Sequence, residues 1–260
     1  MPGEETPLEG SREALALFAK EPSPGRVKTR LCPPLSPSEA SALSSCLLAD
    51  AAGEMAALRH VRRYLFLDPP ESVERVARGP FAGFERFPQR GADLGARMLA
   101  AASLAFRRGA LRVVIVGADC PALAAGRVRH AFRELREGAE VVFGPARDGG
   151  YYLVGLSSPD ARLFEGIPWG TASVLRETAA RCRFIGAPFS LLPPERDVDS
   201  YEDLLALREW TAGNPTPRCP RTREWITSFF ASGGGGSGRR RGRRSGPPRG
   251  SRSLRAEKPS

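Results

Sequence analysis

The sequence predicts an α/β fold: a mainly parallel sheet with helices on both faces and one antiparallel strand pair. Three observations predict it. Short apolar runs of strand length, of which Val113-Val114-Ile115-Val116 is the clearest, alternate with longer stretches of helical periodicity. Runs that are apolar throughout suit strands covered on both faces. Two neighbouring strand-length runs, 140–143 and 151–156, have no helix between them, so that pair is expected to run antiparallel.

The elements follow in order. Residues 1–12 carry no pattern and are expected to fray. Ala14–Ala19 is an apolar strand, followed by a loop broken by Pro and Gly from Lys20 to Pro34. Ser36-Pro37-Ser38-Glu39 opens a helix that reaches about Leu58. Ser36 can cap it, Pro37 suits its first turn, and Glu39 stands three residues after the cap, as a capping box requires. Val61–Leu67 reads as the second strand, Glu71–Ala77 as a short helix, and Phe84–Phe87 alternates like a short edge strand. A helix with small residues on one face starts at Asp93 or Leu94 and runs to Arg108. Arg112–Val116 is a buried strand that ends in Gly117-Ala118-Asp119-Cys120-Pro121. Helix 125–137, strands 140–143 and 151–156, helix 171–182, strand 184–192 and helix 200–210 complete the order, and Arg223–Phe230 has amphipathic pattern for a last turn or two. The chain therefore divides into a frayed start (1–12), one domain (13–210), a C-terminal extension (211–231) and an Arg/Gly-rich tail (232–260) too poor in apolar residues to order itself.

With 260 residues and 41% hydrophobic content, the chain suits one sizeable domain with its own core. No run approaches the ~20 apolar residues of a membrane span. The start, Met1 to Glu5, is acidic and no apolar stretch precedes Ala14, so no secretory signal is read and a cytoplasmic location is expected. The net charge of +10 belongs to the end of the chain. Residues 211–260 hold 12 Lys/Arg against 2 Asp/Glu, which leaves 27 of each sign in residues 1–210. Basic character that matters within the domain must therefore be local. The cysteines, at 32, 46, 120, 182 and 219, form no Cys-x-x-Cys pair. His60 and His130, the only histidines, lie far from them in sequence. Zinc sites and disulfides are not expected, and no Ser-His-Asp or Cys-His nucleophile arrangement can be composed.

In sheets of this class, ligands bind beyond the carboxyl ends of the strands, beside a switch in strand order. The loop after the first strand places Lys20, Arg26, Lys28, Thr29 and Arg30 within eleven residues. Arg supplies planar forked donors and Lys point charges, which together suit a diphosphate, whereas a merely solvated basic loop would need no such clustering. Asp119, delivered by the central strand to the rim, suits a divalent cation, although an N-cap role would explain it too. In Asp197-Val198-Asp199-Ser200, alternation puts both carboxylates on one side, where they could complete a metal site or merely start a helix. Gly144 to Tyr152 joins the antiparallel pair. Asp148-Gly149-Gly150 suits a hairpin turn, and the surplus of Arg147, Asp148 and Tyr151 suggests a mouth for a hydroxylated acceptor, with Asp148 placed as a base. Gln89 to Arg97 opens a helix with glycines and could meet a base or ribose, Asp93 being the candidate contact. Trp169, in the turn Ile167-Pro168-Trp169-Gly170-Thr171, is expected to pack in the core rather than line a pocket.

Five motifs occur in order: Phe18-Ala19-Lys20-x-Pro22-x-Pro24-Gly25-x-Val27-Lys28-Thr29-Arg30-Leu31, Gly91-x-Asp93-Leu94-Gly95-x-Arg97-Met98, Gly117-x-Asp119-Cys120-Pro121, Gly144-Pro145-x-x-Asp148-Gly149-Gly150-Tyr151-Tyr152-Leu153 and Asp197-Val198-Asp199. Together, over roughly residues 14–210, they resemble the bacterial family described as radical-SAM/selenodomain-associated transferase 1, some of whose members are described as arsenosugar-biosynthesis glycosyltransferases. The resemblance implies a glycosyltransferase A-type fold, related to the 2-phospholactate and molybdopterin guanylyltransferase groups. It also implies a divalent metal, Mg²⁺ or Mn²⁺, at Asp119, a nucleotide held by the Lys20–Arg30 loop, and an acceptor side at Asp148 with Gly149 and Gly150. The Asp-x-Asp usual in such transferases is reduced here to Asp119-Cys120-Pro121.

The expected partners are accordingly a nucleotide-sugar and a small-molecule acceptor. An NTP and a phosphorylated small molecule are the alternative, suggested by Lys20-x-Pro22 and Lys28-Thr29-Arg30-Leu31, although the Gly-Gly-x-Ser/Thr-x-Arg-Met-Gly loop of nucleotidyltransferases is absent. A third reading gives Arg239–Arg244 a salt-sensitive contact with nucleic acid or another acidic partner, without aromatic residues interleaved for base stacking.

Overall fold

A computed structural model describes residues 12–76, 79–214 and 218–234. Most of the segment expected to fray, the last residue of the helix expected over 71–77, and the tail beyond 234 with its arginine run at 239–244 lie outside the described residues.

Seven strands form one sheet. They are β1 (Glu13–Lys20), β2 (Arg62–Asp68), β3 (Glu85–Pro88), β4 (Arg112–Gly117), β5 (Val141–Pro145), β6 (Tyr151–Leu156) and β7 (Phe189–Leu191), in the spatial order β3-β2-β1-β4-β6-β5-β7. The pairs β1/β2, β1/β4, β2/β3 and β5/β7 are parallel. One strand, β6, is reversed and pairs antiparallel with both β4 and β5, which includes the antiparallel pair expected from the missing helix.

Ala14 to Phe18 are buried residue by residue, as a central strand covered on both faces requires. One face packs Leu15 and Leu17 against Leu48, Ala52 and Met55 of helix α1 (Pro37–Ala56) and Val128 and Phe132 of a later helix, Ala125–Arg136. The other packs Ala14 and Ala16 against Met98, Ala101 and Ala105 of the helix Leu94–Arg107 and Cys182 of Val174–Ile185. With the one-turn helix α2 (Ser72–Arg75), these three are α3 (Leu94–Arg107), α4 (Ala125–Arg136) and α5 (Val174–Ile185), followed by α6 (Tyr201–Gly213) and α7 (Pro220–Ala231). The capping box of α1 forms as its residues dictate, with Ser36 Oγ accepting from Glu39 N and the Glu39 carboxylate accepting from Ser36 N.

Two expectations need correction. Residues 184–192 are not one strand: α5 continues through Phe184 and Ile185 to a left-handed Gly186 (φ 75°), and only Phe189–Leu191 pairs with β5. The last segment is not a turn or two but the twelve-residue helix α7. It stacks on α1, where the buried Asp50 carboxylate accepts from Arg221 N (3.2 Å) and Thr222 N (2.8 Å), two amides that a helix N-terminus leaves unpaired. A third apolar cluster follows from this docking. Ile226 and Phe229 of α7 and Leu204 and Leu207 of α6 pack with Leu43 and Leu47 of α1, and with Leu31 and Val198 from two loops at the sheet's rim.

The strand order reverses at β1. The chain leaves β1 through α1 to β2 and β3 on one side, then returns through α3 to β4 on the other. The carboxyl ends of β1 and β4 flank that switch point, where such sheets open a ligand crevice.

Candidate active site

The loop leaving β1 is held down by two apolar side chains, Val27 (6% exposed) and Leu31 (0%). Between them Lys28 adopts φ 50°, a left-handed conformation sparsely populated by residues with a Cβ and one that clusters at functional sites. Its side chain is only 4% exposed, and its Nζ lies 2.6 Å from Asp119 Oδ1 and 2.9 Å from Asp199 Oδ1. Burial would push the Lys28 ammonium down, but Asp119 and Asp199 outweigh it and hold the group above its ordinary value.

Asp119 caps no helix. Helix α4 begins six residues later with Ala124 at its cap, and the Asp119 carboxylate points to Lys28 instead. Capping of α6 falls to Ser200 and Asp203, which form a reciprocal box and leave the Asp199 carboxylate to Lys28. Val198 is buried in the cluster made with α6 and α7, and its N–H donates to Asp119 O at 3.0 Å. That bond stitches the 197–199 segment to the end of β4. Asp197 is the most perturbed carboxylate: burial, then the charges of Asp119, Asp199 and Asp148, raise it to about 7, against the opposing pull of Lys28.

These side chains line one cavity of about 760 Å³. Lys20, Arg26, Lys28, Thr29 and Arg30 come from the basic loop, and Asp119, Asp148, Asp197 and Asp199 from the carboxyl side. The cations after β1 and the carboxylate after β4 therefore share a hollow, although 91 residues separate Lys28 from Asp119 in sequence. On the hairpin between β5 and β6, Asp148 Oδ1 accepts from Gly150 N (2.9 Å), and Gly150 and Tyr151 line the cavity. Gly149 sits at φ 92°, where an added Cβ would lie 2.0 Å from Ala172 O; its own carbonyl accepts from Leu175 N (2.9 Å), fastening the hairpin to the start of α5. Arg147 and Gly149 are not among the lining residues, nor is Asp93, whose carboxylate accepts from Ala96 N (2.8 Å) as the N-cap of α3.

Sequence reasoning passed over Gln89, Leu94 and Arg97 as individual contacts, and all three line the cavity. Trp169 does both of the things weighed for it. It packs beside the second core cluster, so close to Gly95 that a Cβ there would lie 2.5 Å from its ring, and it also forms part of the cavity wall.

Among the described residues, no three His, Cys, Asp or Glu side chains close into a ready metal cage. The Lys28 ammonium occupies the position between Asp119 and Asp199. The chemistry of the donor set still fits a hard divalent cation: Asp119, Asp197 and Asp199 offer only carboxylate oxygens to the cavity.

Residues 50–171 match the family model DUF2064, described as uncharacterized proteins conserved in bacteria. A crystal structure from Desulfovibrio desulfuricans G20, described as a candidate nucleotide-diphospho-sugar transferase, is 31% identical with a TM-score of 0.75, over 85% of this chain and 96% of that one. More distant likenesses share the fold alone. A Leptospira borgpetersenii cytidylyltransferase is 14% identical (TM-score 0.51, 85% of this chain and 95% of that one). The 4-diphosphocytidyl-2C-methyl-D-erythritol synthase of Anaerococcus prevotii is 7% identical (TM-score 0.50, 79% and 98%). No curated protein matches the sequence. Among the described residues, no helix is long and apolar enough to cross a membrane.

Proposed function

The chain belongs to the DUF2064 family and is a transferase of the nucleotide-diphospho-sugar transferase fold, and from that premise we propose that it moves a glycosyl group from a nucleotide-sugar to a small-molecule acceptor. The observation that carries the reading is the Lys28 bridge, which joins the basic loop after β1 to Asp119 and Asp199 in one cavity at the switch point of the sheet.

Arg26 and Arg30 present forked donors to the diphosphate, and Lys20 and Lys28 add point charges. As the sugar–phosphate bond breaks, negative charge builds on the leaving diphosphate. Cations already fixed beside it favour that transition state over the ground state. Asp119, Asp197 and Asp199 would hold Mg²⁺ or Mn²⁺, which supplies further neutralisation of the same charge when bound. Asp148, oriented by its bond to Gly150 N, faces the acceptor side with Gly150 and Tyr151 and takes the proton of an attacking hydroxyl. Arg147, Gly149 and Asp93 shape this site through the hairpin and the α3 cap instead of by lining it.

Incubation with UDP-sugars and, separately, with NTPs and phosphorylated small molecules tests the proposal. Release of a free nucleoside diphosphate is the expected result. Pyrophosphate release would instead assign nucleotidyl transfer, and release of neither would remove the assignment. The basic tail has no part in the chemistry of this reading, so a chain lacking residues 232–260 should keep its turnover.

A further inference from the structure

Helix α7 lies beyond the domain expected from the sequence and beyond the residues that the family model matches, yet it is built into the body. Its first turn is seated on the buried Asp50 of α1 through Arg221 N and Thr222 N. The α1 residues that share an apolar cluster with Ile226 and Phe229 are Ala40, Leu43 and Leu47, all of which precede Asp50. Helix α7 therefore runs back along α1, and at about 1.5 Å per residue the stretch from Thr222 to Phe229 covers roughly 10 Å. The start of α1, toward which it runs, follows the loop after β1 and so lies at the rim where the cavity opens. Arg208 of α6 lies over the Phe230 ring, 4.2 Å from its centroid, and ties α6 to the same helix.

Leu31 and Val198, members of that cluster, carry the active site. Leu31 is fully buried, and its N–H donates to Lys28 O at 2.9 Å. Val198, equally buried, stands between Asp197 and Asp199. Among the described residues, the backbone–backbone hydrogen bonds made from Ser23 to Leu35 close within the loop itself. Apolar burial, rather than pairing with the sheet, is what fixes this part of the basic loop to the body. Lys28 Nζ then meets Asp199 Oδ1 at 2.9 Å, so the two partners of this contact are rooted in one cluster. A bond of that length is lost by roughly 3.5 Å, so a drift of about half an ångström between the two loops is enough to open it.

We propose that α7 is a positioning element of this active site: Ile226 and Phe229 complete the cluster that sets Lys28 against Asp199, so the functional unit extends to the end of α7 and does not stop near residue 210. Truncating either side chain leaves a cavity that its neighbours fill only in part, and those neighbours include the residues that root both loops. A helix that merely stabilised the fold would, once weakened, lower the melting temperature and leave the site of the folded molecules unchanged. The effect on diphosphate binding rests on the nucleotide-binding reading above; the placement of Lys28 does not.

The lysines of this chain are Lys20, Lys28 and Lys258, so amine acetylation of the full chain, read by mass spectrometry, reports on the bridge without a substrate. In the wild type Lys28, whose side chain is 4% exposed, should react at least about tenfold more slowly than the exposed Lys20. Well below the melting temperature, Phe229→Ala and Ile226→Ala should remove most of that protection and weaken the binding of inorganic pyrophosphate, measured by calorimetry, by about tenfold. Leu156→Ala is the control. It empties a buried position of the second cluster, opposite Val113 near the other rim, and should lower the melting temperature while leaving Lys28 protected and pyrophosphate binding unchanged. Should the alanine variants not fold, Phe229→Leu and Ile226→Val should show the same changes at smaller size. Lys28 as protected in the folded α7 variants as in the wild type, or equally unprotected in Leu156→Ala, overturns the inference. Loss of protection in the α7 variants alone, with no pyrophosphate bound even by the wild type, upholds α7 as a positioning element and removes the diphosphate reading instead.

Discussion

Replacing Asp197 by asparagine removes a charge that the fold itself disfavours. Burial and the facing carboxylates Asp119, Asp199 and Asp148 raise Asp197 from an ordinary 3.8 to about 7. At about 1.4 kcal/mol for each tenfold change in proton affinity, that corresponds to roughly 4 kcal/mol. Asp197 keeps some exposure to solvent, so about 2–4 kcal/mol is the expected range. The folded protein holds this proton more tightly than the unfolded chain. The group's contribution to stability is therefore fully present below about pH 4 and is lost as pH rises through about 7. Asp197→Asn preserves volume and carries no charge at any pH. It should match the wild type near pH 4 and exceed it by about 2–4 kcal/mol at pH 8, a gain of roughly 5–10 °C in Tm for a chain of this size. Urea midpoints at pH 4, 5, 6, 7 and 8, without divalent cation, measure this. Adding Mg²⁺ or Mn²⁺ at pH 8 should then stabilise the wild type and not the variant, because only the wild type offers the extra carboxylate. The same variant should lose at least about 100-fold in turnover, a stability–activity conflict expected of a site that concentrates like charge. Parallel pH profiles for the two proteins, or a variant less stable than wild type at pH 8, would refute the reasoning.

Two further changes probe the bridge and the hairpin. Lys28→Met keeps the packed stem and deletes the ammonium; since the Asp119 and Asp199 side chains are 52% and 44% exposed, they rehydrate, and stability should change by less than about 1 kcal/mol. Turnover should nevertheless fall by at least about 100-fold, so thermal melts and initial rates must separate, and a large loss of stability would show the bridge to be structural. Gly149→Ala forces a Cβ against Ala172 O in a left-handed backbone and should cost about 3 kcal/mol or more, whereas Gly170→Ala, at φ 80° with open space around it, should cost only about 1–2. Equal melting temperatures for the two alanine variants would mean that the hairpin is not clamped to α5.

Local chemistry alone determined much of this protein. The Val113–Val116 run dictates a buried strand, Ser36 and Glu39 a helix start, and the missing helix between 143 and 151 a reversed neighbour, because each depends on residues close in sequence. The loops at the carboxyl ends of β1 and β4 were legible for the same reason, and with them Lys28 and Asp119 as individual candidates. One signal in the sequence points two ways. Gly186 marks the end of α5, yet the apolar pair Phe184-Ile185 before it resembles a strand. What only the tertiary structure decided is partnership over distance. It supplied Asp50 as the acceptor that seats α7, the choice of Ser200 over Asp199 as the helix cap, and the setting of Lys28 between carboxylates 91 and 171 residues away. Gln89 shows the same division: its neighbours in the chain say nothing of Ala19 O on β1 and Phe66 O on β2, the carbonyls that accept from its amide. A hydrogen bond or an ion pair depends on angstroms of separation, and the sheet order β3-β2-β1-β4 that sets those separations is a property of the whole chain.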